Sequence, residues 1–304
     1  MFSANGSSRQ FVTVDGQRIG YVTAGNPSAP PVMMVHGWLS HARTWRQTLD
    51  ALQDSCYCVA VDLLGHGFSD KPRDGDYSIP AQAARVLRLA DALGLDRFAC
   101  IGHSMGGMIG LYIASTAAPE RITRLVDVSG VANGQLSPYV RRLLTPIYAT
   151  GAVFPSIWAF SRVAMRWRWY AYIYDRALYA DPRRSFQPVE SEDRQMALMP
   201  GNEVPAYRDL QAIAALDLTD TLARVQAPTL VLFGKYDATV PLENAHLAHS
   251  RIPNSRLMLL DECGHVPMTE QPQAYLDAVR AFLAESTAPQ AASSGGSYGQ
   301  MKTE

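Results

Sequence analysis

The stretch that most constrains this chain is Gly102-His103-Ser104-Met105-Gly106, which follows the apolar run Phe98-Ala99-Cys100-Ile101 and precedes an apolar segment beginning at Met108. The pattern predicts a strand, a turn tight enough to need φ > 0 at its centre, and a helix. A side chain two residues to either side of Ser104 would collide with the neighbouring strand or helix, and glycine at 102 and 106 removes both collisions. Ser104 is then a candidate nucleophile held out over a sheet. Because the turn opens a helix, the backbone N–H of Met105 lies at a positive dipole end, suited to an oxyanion.

A short Gly/Ser pattern also arises by chance, so its context decides. Phe11–Val14, the turn Asp15-Gly16 and Arg18–Val22 predict a hairpin. Val32–Val35 and Cys56–Val61 are apolar throughout, as expected of strands covered on both faces. A helix is expected around Arg43–Gln53 and another over Ile79–Leu93, where apolar residues recur at helical spacing up to Gly94. The elbow strand is followed by a helix from about Gly106 to Ala117, stopped by Pro119, and a strand over Ile122–Val128. This alternation predicts a mainly parallel, doubly wound α/β sheet.

From about Asn133 to Ala215 no strand-like run occurs. This segment holds a dense stretch of Trp158, Phe160, Arg162, Arg166, Trp167, Arg168, Trp169, Tyr170, Tyr172, Tyr174, Arg176 and Tyr179. It reads as a helical insertion, with its aromatics packed together and its arginines solvated, specific anion recognition being the sharper alternative. Strands resume at Thr229–Phe233 and Arg256–Leu260, with helices near Glu243–Ser250 and Gln273–Ala284. The expected organisation is therefore core over 1–132, a helical cap over 133–215, core over 216–285 and a disordered Ser/Gly/Ala-rich tail over 286–304.

Composition narrows the field where the motifs do not. The net charge of -1 over 304 residues makes no electrostatic case for nucleic acid or an anionic membrane. Cys56, Cys58, Cys100 and Cys263 lie in or beside predicted strands without metal-ligand or disulfide spacing, so buried reduced thiols are expected. The first residues lack the basic and apolar regions of a secretion signal, and no run of 18 apolar residues occurs. A soluble cytoplasmic protein is expected, with no integral membrane segment. Nothing in the sequence sets its oligomeric state. No metal cluster or Walker pattern stands out, and no cofactor is expected.

A serine hydroxyl needs a general base, and the base an acid to fix its tautomer. Asp237, in Gly234-Lys235-Tyr236-Asp237, and His265, in Cys263-Gly264-His265-Val266-Pro267, each lie just past the carboxyl end of a predicted strand, where α/β sheets present ligand-facing groups. Asp237 has a loop-capping role as its alternative, and Asp127, inside a predicted strand, is the alternative acid. Asp62 is read as bonding the turn that follows it. His36, His66 and His103 lie in motif loops as structural or pocket-lining groups; His41, His246 and His249 read as helix or surface residues.

With these residues in place, the chain resembles the α/β-hydrolase superfamily over roughly residues 10 to 285. The resemblance rests on His36-Gly37 after the third strand, the Asp62–Pro72 run, the elbow, the Asp237 loop, and Gly264-His265 followed by Glu270-Gln271-Pro272. It implies Ser104 as nucleophile, His265 as base and Asp237 as acid, with an oxyanion hole from the backbone N–H groups of Trp38 and Met105. His36, His103 and the Trp38 indole are candidate pocket walls.

The implied activity is hydrolysis of an ester or related acyl bond of a small to medium apolar or aromatic molecule, through an acyl-enzyme on Ser104. Serine rather than a carboxylate at the elbow argues against epoxide and halide chemistry, and Trp38 after Gly37 departs from the HGGG oxyanion loop. A carbon–carbon bond hydrolase or lyase would use the same three residues. A ligand-binding or signalling protein with a vestigial triad is the alternative of a different class.

Overall fold

A computed structural model of the chain describes residues 9–164, 167–181, 196, 197 and 199–285. The strands are β1 Arg9–Val14, β2 Gln17–Ala24, β3 Pro31–Val35, β4 Tyr57–Val61, β5 Phe98–His103, β6 Ile122–Val128, β7 Thr229–Gly234 and β8 Ser255–Leu260. They form one sheet in the order β1-β2-β4-β3-β5-β6-β7-β8. β2 runs antiparallel to β1 and β4, and the remaining neighbours are parallel. Asp15 (φ 52°) and Gly16 (φ 75°) turn the β1–β2 hairpin, the pair of positive φ values that matches strand twist.

β3 and β4 are apolar or aromatic throughout because both sheet faces are covered there. β5 is buried along its whole length. On one face lie α2 (Ile79–Ala92) and α3 (Met105–Tyr112); on the other, α1 (Arg46–Leu52) and the helix Pro272–Ala284. In α2 the Ser78 hydroxyl accepts from the Ala81 N–H at 3.3 Å, Pro80 occupies the first turn, and Gly94 follows at φ 69°. Its buried Ile79, Ala83, Val86, Leu89 and Ala90 form the stripe that the spacing predicts. The helix after the elbow is shorter than expected. It changes at Ile113 to a π turn through Ala117, closed by the Ala118 N–H on the Ile113 carbonyl at 3.0 Å, ahead of Pro119, which has no N–H to extend an α-helix. All four cysteines are buried and unpaired in disulfides.

Chain order reverses direction across the sheet between β3 and β5, so the loop after β3 and the turn after β5 face each other at the carboxyl edge. This is the switch point at which open α/β sheets bind ligands.

Between β6 and β7 the described residues are helical and contain no strand: a π turn Val140–Leu144, then α4 Thr145–Val153, α5 Pro155–Ala164, α6 Arg168–Leu178 and α7 Glu203–Ala214. Arg166, residues 182–195 and the tail 286–304 lie outside the described residues. Long-range contacts fix α7 to the core. The Trp38 indole donates to the Ala206 carbonyl at 2.7 Å and Arg208 to the Gly75 carbonyl at 2.8 Å. His66 stands 3.2 Å from Asp209 with both side chains buried. Burial holds the Asp209 carboxyl above the usual range, and His66 opposes that rise.

Candidate active site

Ser104 adopts φ 56° and ψ -117°, a backbone state that few side chains tolerate. The surrounding structure enforces it. The Ser104 N–H continues the β5–β6 ladder to the Val128 carbonyl at 2.9 Å, and its own carbonyl accepts from the Met108 N–H at 3.0 Å, starting α3. A Cβ on Gly102 would overlap the Gly106 carbonyl, and one on Gly106 would overlap that of Val35, so no larger residue fits at either place. The loop after β3 abuts the elbow: a Cβ on Gly37 would stand 2.9 Å from that of Ser104.

His265 Nδ1 lies 2.8 Å from Asp237 Oδ2, and both side chains are buried. The other Asp237 oxygen accepts from the N–H groups of Thr239 (2.9 Å) and Val240 (2.8 Å), which orients the carboxylate. With Nδ1–H donating to Asp237, the neutral ring keeps Nε2 as its acceptor. The His265 N–H donates to the Leu178 carbonyl at the end of α6, at 2.8 Å. Glu270 reinforces this junction by accepting from Gly264 N–H (2.7 Å) and Ala180 N–H (2.8 Å). Burial raises the Glu270 carboxyl, partly offset by these backbone donors.

His103 places its Nε2 2.8 Å from the His265 carbonyl, and the two rings lie 4.8 Å apart. Burial, with His265 adding to it, pushes its pKa down to about 3, so it is a neutral donor that holds the His265 backbone. His103 lines the cavity described below, and His36 does not. The His36 ring is fully buried between loops, with Nδ1 2.7 Å from the Gly37 carbonyl and Nε2 accepting from the Leu63 N–H at 3.1 Å. It joins the loops after β3 and β4, and burial lowers its pKa well below the ordinary value, with His66 adding to this. Asp62 also serves the loops, accepting from Ala42 N–H (2.6 Å) and Phe68 N–H (3.0 Å).

Asp127 is not brought to His265. It pairs in register with Gly102, is fully buried, and stays off the cavity wall. Neither of its oxygens accepts a hydrogen bond among the described residues, and burial pushes its pKa up to about 7.

Ser104, His103, His265 and Trp38 open onto one cavity of about 180 Å³. Its remaining wall is mostly apolar and comes largely from the inserted helices, including Val140, Leu144, Tyr148, Tyr174 and Leu178. Tyr148 packs edge-on against Trp38 at 4.6 Å and against Trp158 at 5.6 Å, which ties the insertion to the loop after β3. The sequence reading missed several lining residues. His41, expected on a helix or the surface, is buried and lines the cavity with Ser40 and Thr44. Asp175 on α6 adds a buried carboxylate to the wall. The signal for His41 was its place just after the switch-point loop; for Asp175 it was its being the one acid among the aromatics. Among the described residues no group of three or more His, Cys, Asp or Glu side chains is arranged to hold a metal.

The profile of the alpha/beta hydrolase fold family matches residues 30–272. The chain is 29% identical over 268 residues to a 2-hydroxy-6-oxo-2,4-heptadienoate hydrolase of Pseudomonas putida, covering 86% of this chain and 91% of that one. It is 26% identical to a pimeloyl-[acyl-carrier protein] methyl ester esterase of Vibrio parahaemolyticus, covering 83% and 94%. The solved enol-lactonase of Burkholderia xenovorans superposes with a TM-score of 0.76 at 24% identity, covering 91% of this chain and all of that one (100%), a likeness of fold.

Proposed function

Because this chain belongs to the α/β-hydrolase fold family, we propose that it is a serine hydrolase that cleaves an ester or related acyl bond of a small to medium apolar or aromatic molecule. The observation that carries this reading is the 2.8 Å contact of His265 Nδ1 with Asp237, made beside a cavity that Ser104 and His265 both line. His265 Nε2 takes the Ser104 proton as Oγ attacks the acyl carbon. The tetrahedral oxyanion is received by the N–H groups of Met105 and Trp38, each such donor being worth about 3 kcal/mol at the transition state. His265 then protonates the leaving group, and the acyl chain stays on Ser104. Water, deprotonated by the same ring, releases the acid and restores the serine.

The inserted helices act as a cap that shapes the acyl pocket and limits water around it. A soluble cytoplasmic enzyme that needs no cofactor is the matching setting. The alternative of carbon–carbon bond hydrolysis with the same residues is favoured by the similarity to the Pseudomonas putida hydrolase.

A chain-length series of chromogenic acyl esters separates the two. Hydrolysis with a maximum at short to medium acyl chains is the expected result. Folded protein that leaves every ester intact while cleaving a vinylogous 1,5-diketone would establish the second reading instead.

A further inference from the structure

The net charge of -1 conceals a strong local imbalance. Residues 133–180 contain Arg141, Arg142, Arg162, Arg166, Arg168 and Arg176 against a single acid, Asp175, which is buried in the cavity wall. The same helices expose large apolar side chains. Val153, Phe154, Phe160, Val163, Trp167 and Trp169 are between 45 and 69% exposed. Three of these are contiguous: Phe160 and Trp167 have ring centroids 6.0 Å apart, and Trp167 stacks on Trp169 at 6.0 Å with 21° between planes. Arg141 and Arg142, on the π turn that packs against α4, and Arg176, on the same helix as Trp169, are exposed.

Tryptophan with arginine is the side-chain chemistry of a bilayer interface: the indole settles at headgroup depth, the arginines meet phosphate, and the smaller apolar groups reach the acyl boundary. A face flanked by the exposed Arg141, Arg142 and Arg176 complements anionic lipid, and it disfavours a second copy of itself, which would bring two sets of these arginines together. No helix among the described residues is long and apolar enough to cross a membrane. Contact would therefore be peripheral.

We propose that the outer face of α4–α6 docks on an anionic lipid surface through Phe160, Trp167 and Trp169, with the exposed Arg141, Arg142 and Arg176 supplying the electrostatic attraction. α4 and α6 also carry Tyr148, Tyr174 and Leu178 into the cavity wall, so docking sets the cavity beside the lipid. If the hydrolase reading holds, the preferred substrate is an amphiphile delivered from that surface.

The test is cosedimentation of the full chain with vesicles of phosphatidylglycerol and phosphatidylcholine in equal parts, against phosphatidylcholine alone, with tryptophan emission recorded in parallel. Binding about 100-fold tighter to the anionic vesicles, weakened by salt and accompanied by a blue shift, is expected. Trp167→Ser/Trp169→Ser should lose about tenfold or more of this binding while keeping its melting temperature and its hydrolysis of a soluble short ester. Vesicle binding is read without turnover, so it stands or fails apart from the hydrolase reading. Equal or absent binding to the two vesicle types would overturn the proposal. So would a concentration-dependent dimer in analytical ultracentrifugation that the double variant abolishes, which would assign this face to a second copy.

Discussion

Replacing Ser104 by Ala is expected to lower kcat/KM for an acyl ester by about a million-fold, because the attacking oxygen is removed and the other two groups have nothing to activate. Asp237→Asn is expected to cost about 10⁴-fold. In the wild type, Thr239 and Val240 N–H groups bind one carboxylate oxygen, leaving the other for His265 Nδ1–H. An amide nitrogen at the second position would favour the tautomer with its proton on Nε2, the atom that must accept from serine. Steady-state kinetics on both variants, with unchanged circular dichroism, checks the pair. A loss at Asp237 of less than tenfold would mean that another carboxylate supports His265.

Asp127→Asn is expected to gain stability relative to wild type as pH rises. The buried carboxyl titrates at about 7, above its ordinary 3.8, and its oxygens accept no hydrogen bond among the described residues. Between these two values the folded protein holds a proton that the unfolded chain has released, so stability falls as pH rises. The contribution of the protonated acid is complete below pH about 4 and is lost by about pH 8, an interval worth about 4 kcal/mol. The Asn side chain has nearly the same shape and no charge. Its variant should therefore gain about that much relative to wild type between the two ends of the window. Chemical denaturation at several pH values reads the difference, and a variant gap that does not change with pH would contradict a titrating Asp127.

The elbow was legible because its constraints are local. A serine at φ 56° closed in by Gly102 and Gly106 leaves a pattern that neighbours in sequence must satisfy. The mainly parallel sheet around it followed from apolar runs alternating with helices; the strand order came only with the structure. Asp237 and His265 were legible by type and position, but their 2.8 Å contact joins residues from two loops and is decided only when β7 and β8 pair. His36 and His41 exchanged places for a similar reason. Both lie near the same loop, and tertiary contacts turned one ring to Leu63 and the other to the cavity. The insertion was legible as helix but not in its placement. That depends on contacts such as Trp38 with Ala206, which are 168 residues apart. Its arginines were legible as an Arg-rich stretch, but which of them are exposed, Arg141, Arg142 and Arg176 among the described residues, was not.

The proposed hydrolysis requires a covalent acyl intermediate on Ser104. Mixing the protein with a slowly deacylating ester, quenching in acid and mapping the peptides by mass spectrometry would trap it. One acyl adduct per chain is expected, on the peptide that carries Ser104, absent from Ser104→Ala. Turnover of the ester with no adduct at Ser104, or with the adduct on another residue, would contradict it.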